Sequence, residues 1–133
     1  MKVLICGGRV FNNWELFRDK LEEIANERFP IMEPDEYGNF LYDVTIISGG
    51  ARGVDTLAAN WAAVNWAGYK EYPADWERDG KKAGILRNIR MLEEGQPDLV
   101  IAFPGGRGTA HMVKIARKAG VEIIEVRIEA TDD

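Results

Sequence analysis

Apolar and polar positions change period several times along this chain. Lys2 to Cys6 is a short, nearly continuous apolar run, which reads as a strand buried on both faces. Leu16, Phe17, Leu21, Ile24 and Ala25 then recur at helical spacing, with Asn12 or Asn13 as the N-cap and Asn12 to Glu15 at capping-box distance. Val44 to Ile47 is a second strand-like run. Val54, Leu57, Ala58, Trp61 and Ala62 share one helical face after it. Tyr69 to Tyr72 predicts a third strand, residues 75 to 80 a polar loop, and Ile85, Leu86, Ile89 and Leu92 a helix that stops at Gly95. Asp98 to Phe103 predicts the fourth strand. A helix follows Gly108 and runs to Ala119-Gly120, and Glu122 to Ile128 predicts the fifth strand. Residues 30 to 42 break every period with Pro30, Pro34, Asp35 and Gly38, and read as a loop or hairpin insertion. Residues 129 to 133 read as a short acidic tail.

Strands that alternate with helices require right-handed crossovers and a parallel sheet. The expected fold class is α/β, a doubly wound five-stranded parallel sheet in the order 3-2-1-4-5, forming a three-layer αβα sandwich. One domain over residues 1 to 128 accounts for the length. Three of the predicted strands end in glycine turns: Gly7-Gly8-Arg9, Ser48-Gly49-Gly50-Ala51-Arg52-Gly53 and Pro104-Gly105-Gly106-Arg107-Gly108-Thr109. In a parallel sheet these turns share one edge, and strands 1 and 4 flank the switch point. The three turns are therefore expected around one crevice, where glycine lets backbone N–H groups approach an anion.

The formal net charge of -5 at pH 7 speaks against binding to bulk nucleic acid, while leaving room for a local basic pocket. The single cysteine, Cys6, cannot form an internal disulfide and reads as buried and structural. One histidine and one cysteine supply no metal cluster of recognisable spacing. No signal peptide or membrane span is legible, so the expected location is the cytoplasm.

The candidate chemistry concentrates at the turns. Arg9, Arg52 and Arg107 are suited to bidentate phosphate contacts, or else stand solvated in their loops or pair with carboxylates such as Asp55 and Asp75. The hydroxyls of Ser48 and Thr109 either bond a phosphate or ribose or cap a helix. Asp55, in the first turn of its helix, either caps, holds ribose hydroxyls or orients Arg52. His111 either faces the pocket or stands exposed on its helix. Trp76 either stacks on a base or covers the core edge. Arg87 and Arg90, three apart, share a helical face, and Arg87 is placed to reach back to the crevice, next to Asn88.

These residues taken together resemble the SLOG superfamily, and within it the small YspA/YpsA-related family. The resemblance runs nearly end to end: Gly7-Gly8-Arg9 with Phe11, Ser48 through Asp55, Ala74-Asp75-Trp76, Ala83-Gly84 with Arg87-Asn88 and Met91, and Pro104 to Thr109. Residues 30 to 42 are the least covered. The superfamily also includes the lonely-guy (LOG) phosphoribohydrolases, often described as lysine decarboxylase-like, the molybdenum cofactor carriers and the Rossmann domain of DNA-processing protein A.

The resemblance implies a Rossmann-like fold and a bound nucleotide or other phosphorylated small molecule. The site it implies comprises Gly7, Gly8, Arg9, Ser48, Gly49, Gly50, Arg52, Asp55, Trp76, Arg87 and Asn88, with the loop Pro104, Gly105, Gly106, Arg107, Gly108 and Thr109. It implies a homodimer and no cofactor beyond that ligand. The LOG pattern PGGxGTxxE places its catalytic glutamate where this chain has Met112, whereas the LOG arginine is matched by Arg87. Binding or sensing is therefore the leading expectation. The alternatives are N-glycosidic hydrolysis of a nucleoside monophosphate, with Arg87, Asp55 and His111 as candidate groups, and single-stranded nucleic-acid binding.

Overall fold

The computed structural model describes residues 1–128. In chain order its elements are β1 (Lys2–Cys6), α1 (Trp14–Arg28), β2 (Thr45–Ser48), α2 (Val54–Val64), β3 (Gly68–Glu71), α3 (Trp76–Asp79), α4 (Ala83–Gly95), β4 (Leu99–Ala102), α5 (Arg107–Lys118) and β5 (Glu122–Glu125). The strands form one parallel sheet in the order β3-β2-β1-β4-β5, the expected doubly wound topology.

Alternation along the strands sends side chains to two covered faces. Val3, Ile5, Ile46, Leu99 and Ile101 meet Phe17 and Leu21 of α1 and Trp61 of α2 on one side. Leu4, Ile47, Val100 and Ala102 meet Met91 of α4 and Met112 of α5 on the other. This two-sided burial explains why the inner strands read as unbroken apolar runs. Each fully buried Leu, Ile, Val, Phe or Met side chain contributes about 1.5–3 kcal/mol. The edge strand β3 has all four residues exposed, and its sequence Gly-Tyr-Lys-Glu reflects that position.

Local signals resolve or shift in several places. Asn13, rather than Asn12, caps α1 by accepting the Leu16 N–H at 3.1 Å. The segment expected to be a polar loop after Pro73 is helical instead. The Asp75 carboxylate caps α3 through the Arg78 N–H at 3.0 Å, and a 3-10 turn over Gly80–Lys82 leads into α4. β5 ends at Glu125, and α5 ends at Lys118, two residues before Gly120 turns the chain at φ 78°. Residues 31 to 42 form a small hairpin, with an Ile31–Tyr42 bridge and a turn tied by the Asp35 carboxylate to the N–H groups of Tyr37 and Asn39. Tyr42 anchors it by stacking on Trp61, with ring centroids 5.8 Å apart. The acidic tail lies outside the described residues.

Candidate functional site

The sheet brings the three glycine turns together and hydrogen-bonds them to one another. The Gly8 N–H donates to the Pro104 carbonyl at 2.9 Å, joining the turn after β1 to the turn after β4. The Gly8 carbonyl accepts the Val54 N–H at 3.1 Å, joining it to the turn after β2. Such close backbones leave no room for side chains. A Cβ on Gly8 would stand 3.0 Å from the Pro104 oxygen, and one on Gly7 would stand 2.5 Å from Val54 Cγ2. Gly105 is packed the same way, its missing Cβ facing the Gly8 nitrogen at 2.7 Å.

A crevice of about 430 Å³ opens at this junction, at the switch point between β1 and β4. Its walls include Gly7, Gly8 and Arg9 from the first turn, Asp55 from α2, Arg87 and Asn88 from α4, and Gly106 to Thr109 from the last turn. α5 begins there with Gly106 as N-cap and no side-chain cap. Its first intrahelical bond runs from the Ala110 N–H to the Gly106 carbonyl. The N–H groups of Arg107, Gly108 and Thr109 precede that bond and have no partner within the helix. They carry the positive end of the helix dipole to the crevice. Gly106 and Gly108 are also the two glycines of this turn beside which a Cβ would meet nothing within 4 Å.

Arg87 reaches back from α4 as its position predicted. Its Nη1 donates to the Gly49 carbonyl at 2.7 Å and its Nε to Asn88 Oδ1 at 3.1 Å. Arg90, one turn on, lies over the Tyr72 ring at 5.6 Å. Asn88 is buried at the crevice wall, where its amide braces three neighbours. Its Nδ2 faces the Gly108 carbonyl at 3.1 Å and His111 Nδ1 at 3.2 Å. One side chain thus orients Arg87, His111 and the glycine loop together. His111 is half-buried against Asn88 rather than fully exposed.

Asp55 is buried at the crevice wall and braces the second turn instead of capping α2. Its Oδ2 accepts the Ala51 N–H at 3.1 Å. Burial pushes this carboxyl above the usual aspartate range, and the backbone N–H groups and Arg87 pull it back in part. Burial likewise lowers Arg87, with Asp55 opposing, although a guanidinium stays charged at any ordinary pH. Burial pushes the Cys6 thiol up to about 12, which makes it an inert wall group.

Several candidates stand elsewhere. Ser48 is fully buried and bonds the Tyr69 hydroxyl at 2.6 Å, so it neither reaches a ligand nor caps a helix. Arg52 is exposed and outside the crevice wall. Gly49 and Gly50 lie behind that wall: Gly49 offers its carbonyl to Arg87, and Gly50, at φ 72°, lies against Glu71. Pro104 and Gly105 stitch the turns together rather than lining the crevice. Trp76 is half exposed beside a separate depression, joined to the site only through the Arg9 guanidinium 5.7 Å from its ring centroid. Met112, at the position of the LOG glutamate, is fully buried in the core.

Sequence reading missed Tyr69 and Glu71. The Tyr69 hydroxyl links Ser48 to Glu71 Oε1 at 3.0 Å beneath the second turn, and burial pushes this phenol up to about 12. Their spacing of two on β3 was the available signal, since it puts both on one face of a strand.

The pattern of the YspA, cpYpsA-related SLOG family matches residues 1–78, which end within α3. The chain is also similar to the Gene 61 protein of Mycobacterium phage D29, at 39% identity over 134 positions covering 92% of this chain and 94% of that protein.

Proposed function

The chain belongs to the YspA, cpYpsA-related SLOG family, and from that premise we propose that it binds a nucleotide or nucleotide-derived phosphorylated ligand at the switch-point crevice. The observation that carries this reading is the uncapped start of α5. Its free N–H groups, open-sided Gly106 and Gly108, and the cations Arg9, Arg87 and Arg107 all border one crevice. A phosphate there would accept from the N–H groups and face the guanidinium groups. Thr109, which caps nothing, would add its hydroxyl.

Calorimetric titration with a panel of nucleoside mono-, di- and triphosphates tests the reading. Saturable binding by at least one, weakened at least tenfold by Gly106→Val with thermal stability unchanged, is the expected result. A Cβ at Gly106 meets no protein atom, so its effect falls on the ligand. No binding across the panel, or affinity indifferent to Gly106→Val, overturns it.

A second reading, N-glycosidic hydrolysis of a nucleoside monophosphate, draws support from Asp55. It is a carboxyl at the crevice wall, shifted upward by burial and close enough to Arg87 to feel its charge. A carboxyl in that state can hold a proton for a leaving base. Free base that appears on incubation, and disappears with both Asp55→Asn and Arg87→Ala, would establish this activity. Its absence with every bound monophosphate leaves binding alone.

A further inference from the structure

A second cavity of about 680 Å³ lies on the far side of the last glycine turn, between α5 and the end of β5. Gly106 and Thr109 border both cavities, so the turn is a partition between them. The floor is apolar, made of Ala102, Phe103 and Val113, with Val126 at one side. The rim is cationic, formed by Lys114, Arg117 and Lys118 on one flank of α5.

The charge of α5 sets it apart. The chain carries a net charge of -5, yet α5 has Arg107, Lys114, Arg117 and Lys118 and no carboxylate. By contrast, α1 intersperses Glu15, Asp19, Glu22, Glu23 and Glu27 with its basic residues. The helix dipole favours cations in the last turn and so accounts for Arg117 and Lys118. It accounts neither for Lys114, a turn earlier, nor for the lack of any acid along the helix. Glu125 is the acidic residue at this cavity. It pairs with Arg117 at 3.6 Å, with both side chains more than half exposed, a contact too weak to hold the groove closed against a competing anion.

We infer that the groove between α5 and β5 is a second ligand site, separate from the crevice, for a phosphorylated compound of nucleotide size. The apolar floor takes a flat, weakly polar ring, and Lys114, Arg117 and Lys118 take the phosphates. The volume lies within the range of small-molecule sites, about 300–1,000 Å³.

NMR titration of the uniformly nitrogen-15-labelled full chain tests the inference, with inorganic pyrophosphate and ADP as separate probes. The amides of Lys114, Arg117, Lys118, Glu125 and Val126 are expected to shift saturably, with ADP binding at least tenfold more tightly than pyrophosphate because it also covers the floor. Lys114→Glu with Lys118→Glu should weaken this response at least tenfold while responses at Gly7 to Arg9 persist. Arg87→Ala should do the reverse. Both lysines are exposed, so folding is not at stake, and Lys114→Gln with Lys118→Gln should give a smaller loss in the same direction. Unmoved groove amides at millimolar probe, a response that survives charge reversal, or ADP no tighter than pyrophosphate overturns the inference. A response confined to the crevice also overturns it and leaves the proposed function standing. A response confined to the groove supports it and counts against the crevice.

Discussion

The turns after β2 and β4 have similar composition and different uses. Both join a buried strand to a helix through glycines, a small hydroxyl residue and an arginine. In the β2 turn four of the polar groups close on the protein. The Ala51 N–H goes to Asp55, the Val54 N–H to the Gly8 carbonyl, the Gly49 carbonyl to Arg87, and Ser48 to Tyr69. In the β4 turn the Pro104 carbonyl and Gly105 are fixed against Gly8, but the N–H groups of residues 107 to 109 lie outside the helix's own bonding and border the crevice. A glycine-rich turn is thus a frame when its hydrogen bonds close on the protein and a cradle when they do not. Composition does not distinguish the two cases, and bond-by-bond accounting does.

The same substitution in both turns gives the sharpest test. Gly53 stands at φ 74°, and a Cβ there would run into the Gly8 carbonyl and the Arg9 backbone. Gly53→Ala should therefore cost about 2–4 kcal/mol in chemical denaturation. Gly106 has φ -99° and open space, so Gly106→Ala should stay within about 0.5 kcal/mol of the parent. Equal costs at the two positions would erase the distinction between frame and cradle.

Asn88 couples the two halves of the site, and Asn88→Ala removes at once its bonds to the Gly108 carbonyl, His111 Nδ1 and the Arg87 Nε. A loss of about 1–3 kcal/mol is expected in the same denaturation assay, with faster hydrogen exchange at Gly108 and Thr109. Unchanged exchange there would show that the loop is held without it.

The smallest effect concerns Asp55. Its folded-state pKa is raised, so the native state binds the proton more tightly than the unfolded chain. Stability should then fall as pH rises from the ordinary aspartate value of about 3.9 through the raised one, and level off above it. Asp55→Asn keeps an acceptor for the Ala51 N–H and should flatten that decline, read as denaturation midpoints between pH 4 and 7. A decline identical in the variant would place its source elsewhere.

The fold was legible because the inner strands are apolar on both faces and each is punctuated by glycine. Those two signals are local, and together they dictate a parallel, doubly wound sheet. The helical segment after Pro73 was not legible as a helix, since a single turn capped by Asp75 carries no hydrophobic period. Arg87 could be placed from its helix position. Asn88 could be placed beside it, but its bracing bonds could not be read, because burial is a property of packing rather than of the residue.

By itself the sequence determined which segments are strands, which turns are glycine-rich, and that these turns gather along one sheet edge. Period and backbone sterics act over a few residues and need no partner to be read. Only the tertiary structure decided which N–H groups are consumed, that Ser48 is sealed beneath Tyr69, that Met112 is in the core, and that Arg52 and Trp76 stand apart from the crevice. Each of those outcomes depends on which distant atom arrives within hydrogen-bond or van der Waals range, and that is set by how the layers pack.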